Sequence, residues 1–370
     1  MRRMAAMSTA LAAPAVAFGQ EKKIVLGQSA PFTGPAAQLG IQMKAGAKVF
    51  FDALNANGGV HGHRIELVSM DDGYEPERCK ANTAKLIQDN CFALFGYVGT
   101  PTSLAALPLV TEAHIPFFAP FTGAEALRDP FNKYVFHLRA SYFQETAIIV
   151  KQLTELGLKK IAVFYQDDAY GKAGLEGVRR ALKAQMLAPI ATGTVVRNSV
   201  DVAKAVQAIV PSQPDAIVQI SAYKSCSAFI RESRKAGYYG TFYNVSFVGT
   251  QALADELGKN ANGVVVSQVM PYPFSTSMGI TREYLDALHK AGGDLKPDYS
   301  SMEGYLAAKV MAEGLRRAGP NPTRESLVAG LESIQDANFG GFKVNFGPHD
   351  HVASNFVDMS MLTDEGKVKH

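Results

Sequence analysis

The chain has 370 residues, 47% of them hydrophobic and 19% charged, with a formal net charge of +3 that becomes +1 when Arg2 and Arg3 are set aside. That balance excludes the concentrated positive charge of a nucleic-acid binder. The length exceeds what one hydrophobic core usually spans, so two domains are expected.

Residues 1–20, MRRMAAMSTALAAPAVAFGQ, read as a secretory signal peptide. Arg2 and Arg3 give it a basic start, an Ala-rich stretch runs to Phe18, and the small Ala17 and Gly19 suit cleavage near Gln20. The later apolar runs are strand-length, so a soluble exported protein is expected. No cysteine follows the leader closely enough to accept a lipid anchor.

The pattern then alternates. Ile24 to Ala30 predicts a strand, Leu39 to Asn55 a helix, Arg64 to Met70 a strand, Pro76 to Asp89 a helix, Phe92 to Val98 a buried strand, Ser103 to Ala113 a helix and Ile115 to Pro120 a strand. Strands separated by helices imply βαβ units on a parallel sheet. Asn57 to Gly62 is a Gly-rich turn between the first helix and second strand, and its neighbours His61 and His63 read as solvated turn residues.

The alternation restarts at Glu145 to Leu156, a helix. Strands follow at Lys160 to Tyr165, Ile190 to Val196, Ala216 to Ile220, Phe242 to Val245 and Gly263 to Val269, with helices at Gly171 to Met186, Val202 to Val210 and Ser225 to Ala236 between them. Thr281 to Lys290, Ser301 to Ala318 and Thr323 to Glu332 are helical, and Gly341 to Phe346 and Val357 to Leu362 are late strands. The repeated pattern implies two lobes, residues 21–138 with 270–346 and residues 139–269 with 347–370. The chain would cross between them near His137 to Ser141, Gln268 to Pro271 and Phe346 to Pro348, and three parallel connections favour a hinge.

Cysteines 79, 91 and 226 are odd in number. Cys79 falls in the first turn of a helix and Cys91 beyond its end, about 18 Å apart at helical rise, whereas a disulfide needs Cα atoms within about 7 Å. Three free, mostly buried thiols are expected, with a Cys79–Cys91 bridge as the alternative.

Nucleotide-binding, nucleophile-elbow, zinc-protease and dithiol motifs do not occur, so neither a cofactor nor catalysis is expected. His349-Asp350-His351 could ligate a metal but suits a polar turn better, and Asp71-Asp72 and Asp167-Asp168 suit helix capping and cleft lining. What does stand out is a positional set: Pro31 to Pro35, Gly99 to Ser103 and Pro120 to Ala124. Each places hydroxyls, glycines and backbone N–H groups where a parallel strand ends, the place where open α/β sheets bind small ligands.

Ile24-Val25-Leu26-Gly27 with Thr33-Gly34-Pro35, then Asn57-Gly58-Gly59, Asp71-Asp72, Gly96-Tyr97-Val98-Gly99-Thr100-Pro101-Thr102-Ser103, Asp168-Ala169-Tyr170-Gly171 and Glu303-Gly304-Tyr305 occur in this order. With them the chain resembles the periplasmic leucine/isoleucine/valine-binding protein family, the type I solute-binding proteins of ABC transporters. The resemblance implies an α/β fold of two doubly wound Rossmann-like lobes joined by a three-stranded hinge, a monomer in the periplasm, capture of a small ligand and its delivery to an ABC permease, with sensing through the same cleft as the alternative.

By the same resemblance Leu39 borders the ligand, Thr100 binds its carboxylate with Thr102 on the same turn, and Phe121, Thr122 and Gly123 supply the neighbouring turn. Tyr170 and Tyr223 match aromatic lids of the second lobe. Amino-acid binders of the family place a carboxylate for the ligand ammonium where this chain has Ser246. The ligand is therefore an acid or amide without an amine, or an amino acid whose ammonium pairs with Asp167, Asp168 or Glu303.

Overall fold

The computed structural model describes residues 22–293 and 295–370, so the expected signal peptide lies outside the described residues. From Lys23 the chain alternates β1 (Lys23–Ala30), α1 (Ala37–Ala56), β2 (Arg64–Asp71), α2 (Pro76–Gln88), β3 (Ala93–Phe95), α3 (Thr100–Glu112), β4 (Phe117–Phe118) and β5 (Val135–Phe136). These strands form a parallel sheet in the order β2-β1-β3-β4-β5. Because β1 pairs with β2 in unbroken register from Lys23↔Arg64 to Ala30↔Asp71, the loops after both strands emerge side by side.

The second half runs α4 (Tyr142–Glu155), β6 (Ile161–Gln166), α5 (Ala169–Ala184), β7 (Ala191–Val195), α6 (Ala203–Ile209), β8 (Ala216–Ile220), α7 (Tyr223–Lys235), β9 (Thr241–Asn244), α8 (Thr250–Leu257) and β10 (Val265–Gln268). Helices α9 (Gly279–Ala291), α10 (Tyr299–Ala318) and α11 (Arg324–Glu332) follow, then β11 (Ala337–Phe339), β12 (Phe342–Val344), β13 (Asp358–Leu362) and β14 (Val368–Lys369). The second sheet has the order β14-β13-β10-β9-β8-β6-β7, with β13 and β14 antiparallel at one edge. Helices α9 and α10 return to the first lobe and pack on α1.

The expected α/β fold of two lobes is what forms, with local corrections. The expected strands Phe92–Val98 and Ile115–Pro120 run as strands only over Ala93–Phe95 and Phe117–Phe118, with an isolated bridge from Val98 to Phe121 beyond, and Ala119 turns to φ +52° immediately after β4. Helix α3 starts at Thr100 rather than Ser103, because Pro101 has no N–H to lose and its fixed φ suits a first turn. The expected strand Gly341–Phe346 belongs to neither large sheet: β12 pairs with β11 in a small hairpin, turned by Gly340 and Gly341 at φ +64° and +102°.

After β5 the chain enters α4 in the second lobe, after β10 it leaves for α9, and between β12 and β13 it crosses again. The first and third crossings are stitched together: His137 N–H donates to the His351 carbonyl at 2.8 Å and Ala353 N–H to the His137 carbonyl at 2.8 Å. The His351 ring stacks on Phe136 at 3.7 Å and bonds the Val135 carbonyl and Glu332, so the His349–His351 triplet serves this junction. Cys79, Cys91 and Cys226 are free and buried, and burial pushes the Cys91 thiol up to about 11.

Candidate functional site

The loops at the ends of β1 and β2 are organised by two adjacent carboxylates. Asp71 accepts from Phe32 N–H (2.7 Å), Thr33 N–H (3.2 Å), Gly73 N–H (3.0 Å) and the Thr33 hydroxyl (2.7 Å), and it pairs with Arg78 at 2.8 Å. Burial works to raise its pKa, but the bonds from Thr33, Phe32, Gly73 and Arg78 together hold it well below the usual carboxylate range. The Thr33 hydroxyl, at the end of β1, is thus bonded to Asp71. Asp72 is buried and accepts from the Ser29 hydroxyl and Tyr74 N–H, both at 2.8 Å.

Burial pushes the Asp72 carboxyl up to about 6, with the Ser29 and Tyr74 bonds opposing it. An unfolded aspartate titrates near 3.9. The folded chain therefore holds this proton more tightly, and the group's contribution is present below about pH 4 and lost as pH rises through about 6. Asp72→Asn, neutral throughout, is expected to gain on the parent by up to about 3 kcal/mol between pH 4 and 7. Melting curves of both chains across that range check it; a pH-independent difference contradicts it.

On the next loops, Gly99 begins α3 at φ +103°, and a Cβ there would lie 2.2 Å from the Tyr74 ring, so only glycine fits. No side chain caps this helix end. The Thr100 and Thr122 hydroxyls are 2.6 Å apart, and Thr122 also reaches the Tyr142 hydroxyl at 3.3 Å. Gly123 lets Tyr142 close on this turn, since a Cβ would stand 2.8 Å from the Tyr142 ring and backbone nitrogen. The Thr102 hydroxyl, by contrast, donates to the Val98 (2.5 Å) and Gly99 (3.0 Å) carbonyls.

From the other lobe, Asp168 caps α5 by accepting from Tyr170 N–H (2.9 Å) and Gly171 N–H (3.4 Å), which fixes Tyr170 at the helix start. Phe247 lies 4.5 Å from Tyr170 and 5.8 Å from both Tyr74 and Phe121, so aromatic rings of the two lobes interlock. The Tyr170 hydroxyl is buried without a hydrogen-bond partner. Leu39 and Tyr223 meet the same closure beside Gly249: a Cβ there would stand 2.6 Å from Leu39 and 3.8 Å from Tyr223. The Tyr223 hydroxyl accepts from Gln38 N–H at 3.4 Å across the lobes.

The buried charges were not all expected. Arg139, on the first crossing, forks onto both oxygens of Glu303 at 2.8 and 2.6 Å, lies 3.9 Å above the Phe121 ring, and donates to the Ser246 hydroxyl at 3.0 Å. Ser246 in turn donates to Glu145 through its N–H (2.8 Å) and hydroxyl (3.0 Å), and Ser267 adds a third bond at 2.5 Å. Burial raises the Glu145 carboxyl, while Arg139 and these donors lower it, and the balance is upward. Of the suggested ammonium partners, Asp167 is exposed beside Lys172, Asp168 is held by its cap, Gln166 and Arg197, and Glu303 is held by Arg139. Tyr74, Tyr142, Phe247, Arg139 and Glu145 were missed; each lies in a loop or first helical turn, where local pattern assigns no partner. Among the described residues no group of three His, Cys, Asp or Glu side chains is placed to hold a metal ion.

Two doubly wound lobes that meet at the carboxyl ends of their strands, with three crossings between them, define the class of two-lobed binding proteins. The model of the periplasmic binding protein family matches residues 23–367, and the chain belongs to that family. A Leu/Ile/Val-binding protein homolog 7 of Brucella melitensis is 26% identical, covering 93% of this chain and 90% of that protein. Among solved structures, a possible leucine/isoleucine/valine-binding protein from Rhodopirellula baltica aligns with TM-score 0.90 at 33% identity, covering 94% of this chain and 96% of that one. A substrate-binding periplasmic protein from Ralstonia solanacearum aligns with TM-score 0.88 at 33% identity, covering 94% and 99%. The family is extracytoplasmic, and among the described residues no helix is long and apolar enough to cross a membrane.

Proposed function

We propose that this protein captures a small carboxylate-bearing ligand, an amino acid or an organic acid, between its lobes in the periplasm and delivers it unchanged to an ABC permease. One observation carries the reading. The paired Thr100 and Thr122 hydroxyls at the uncapped start of α3 stand in the same closure as Tyr170 and Phe247 of the opposite lobe. Neutral donors at a helix N-terminus suit a carboxylate, and surrounding rings suit an apolar body. Leu39 and Tyr223 border the closure, Phe121 and Gly123 shape its floor, and Ser246 joins it to the crossings. The lobes would comprise residues 21–138 with 270–346 and 139–269 with 347–370, acting as a monomer after removal of residues 1–20. The relative in Brucella, named a Leu/Ile/Val-binding protein homolog, supports small-molecule capture.

A thermal-shift and calorimetry screen against amino acids, aromatic acids, short carboxylates and amides tests this, since a ligand of the folded state raises the midpoint by mass action. Thr100→Val and Thr122→Val are each expected to weaken the hit at least tenfold while folding normally. Failure of every carboxylate, or affinity indifferent to both threonines, would sink the reading. Chromatography after incubation should recover the ligand unchanged.

A further inference from the structure

We propose, resting on the binding reading above, that the site selects aromatic carboxylates without an amine, seating the anionic head on Thr100 and Thr122 and the ring among Tyr74, Phe121, Tyr170 and Phe247. A buried ammonium needs a carboxylate facing it, because an unpaired charge out of water is costly. The carboxylates at the closure are already engaged. Glu303 gives both oxygens to Arg139. Glu145 gives both oxygens to Ser246 and Ser267, and Ser246 covers it by bonding through N–H and hydroxyl alike. Asp168 is occupied by two backbone N–H groups, Gln166 and Arg197. Asp72 is occupied by Ser29 and Tyr74.

What remains are hydroxyl donors and ring faces. Tyr170 is the sharpest of them, a fully buried side chain whose hydroxyl has no partner while its ring packs 4.5 Å from Phe247. A ring entering this group meets aromatic faces from both lobes, and offset or edge contacts between rings favour it over a branched aliphatic chain of similar size.

Matched pairs that differ only in the ammonium decide the question. Calorimetry with 3-phenylpropanoate, phenylalanine, 4-methylpentanoate and leucine is expected to show phenylpropanoate binding at least tenfold tighter than phenylalanine and tighter than 4-methylpentanoate. If phenylalanine or leucine binds as well as its amine-free partner, the selection is overturned while the binding reading stands, and loss of that affinity in Glu145→Gln would identify Glu145 as the ammonium's partner. If 4-methylpentanoate outranks phenylpropanoate, the aromatic preference fails. If none of the four binds, the proposal fails outright, and the broader screen alone decides whether the protein binds a carboxylate at all.

Discussion

Arg139→Ala is expected to lower the unfolding free energy by about 3–5 kcal/mol, the cost of leaving one member of a buried ion pair uncompensated. Arg139 and Glu303 have side chains only 1% and 2% exposed, and their two bonds are the geometry in which guanidinium and carboxylate match best. Burial alone would weaken the guanidinium's hold on its proton, but Glu303 more than offsets it, so Arg139 stays charged. Truncation strips Glu303 of both its donors and the Phe121 face of its cation, and it takes from Ser246 the donor at 3.0 Å. The pair itself need not stabilise the fold relative to apolar residues of similar volume. Arg139→Met with Glu303→Leu is therefore expected to recover most of the loss. Urea unfolding of the two single variants and the double variant measures the coupling, expected above about 2 kcal/mol. A loss below about 1 kcal/mol for Arg139→Ala, or purely additive variants, would show that the two side chains are not paired in solution.

The same pair shows where reading the sequence stops. Arg139 and Glu303 are 164 positions apart, and neither sits in a spacing that marks a partner. Glu145 reads locally as an acid in the first turn of α4, and only the fold brings Ser246 and Ser267, 101 and 122 residues away, onto its carboxylate. Long strands and helices were legible because β1 and β8 are near-continuous apolar runs buried on both faces, while α1 repeats one buried face along its length. The two-residue strand β5 offers too little repeat to be seen. That Thr100 and Thr122 come together could be anticipated because both follow strands of one parallel sheet, and strand ends are fixed by topology. The bonds that the Thr102 hydroxyl makes, two residues further along α3, to the Val98 and Gly99 carbonyls depend on rotation and not on residue type, and so could not be read from the sequence.

Gly46→Ala is expected to destabilise by more than about 4 kcal/mol, although on an exposed helix the same change stabilises by about 1 kcal/mol through propensity. The sign reverses because α1 and α10 touch backbone to backbone. A Cβ at Gly46 would stand 1.7 Å from the Ser301 carbonyl oxygen, and one at Gly304 2.0 Å from the Met43 carbonyl oxygen. A backbone carbonyl cannot rotate away as a side chain can, so the helices must separate and reopen the core around Met43, Ala47 and Met302. Gly347→Ala, where nothing lies within 4 Å, serves as the control and is expected to stay within about 0.5 kcal/mol of the parent. Thermal melts of both variants make the comparison; equal midpoints would mean the two helices do not touch. The consequence reaches the site, because Glu303 precedes Gly304 on α10, and α1 begins directly after the Pro31–Pro35 loop that Asp71 holds. If Gly46→Ala folds at all, pushing α10 outward draws Glu303 off Arg139, and the Arg139–Glu303 coupling measured in that background should fall with it.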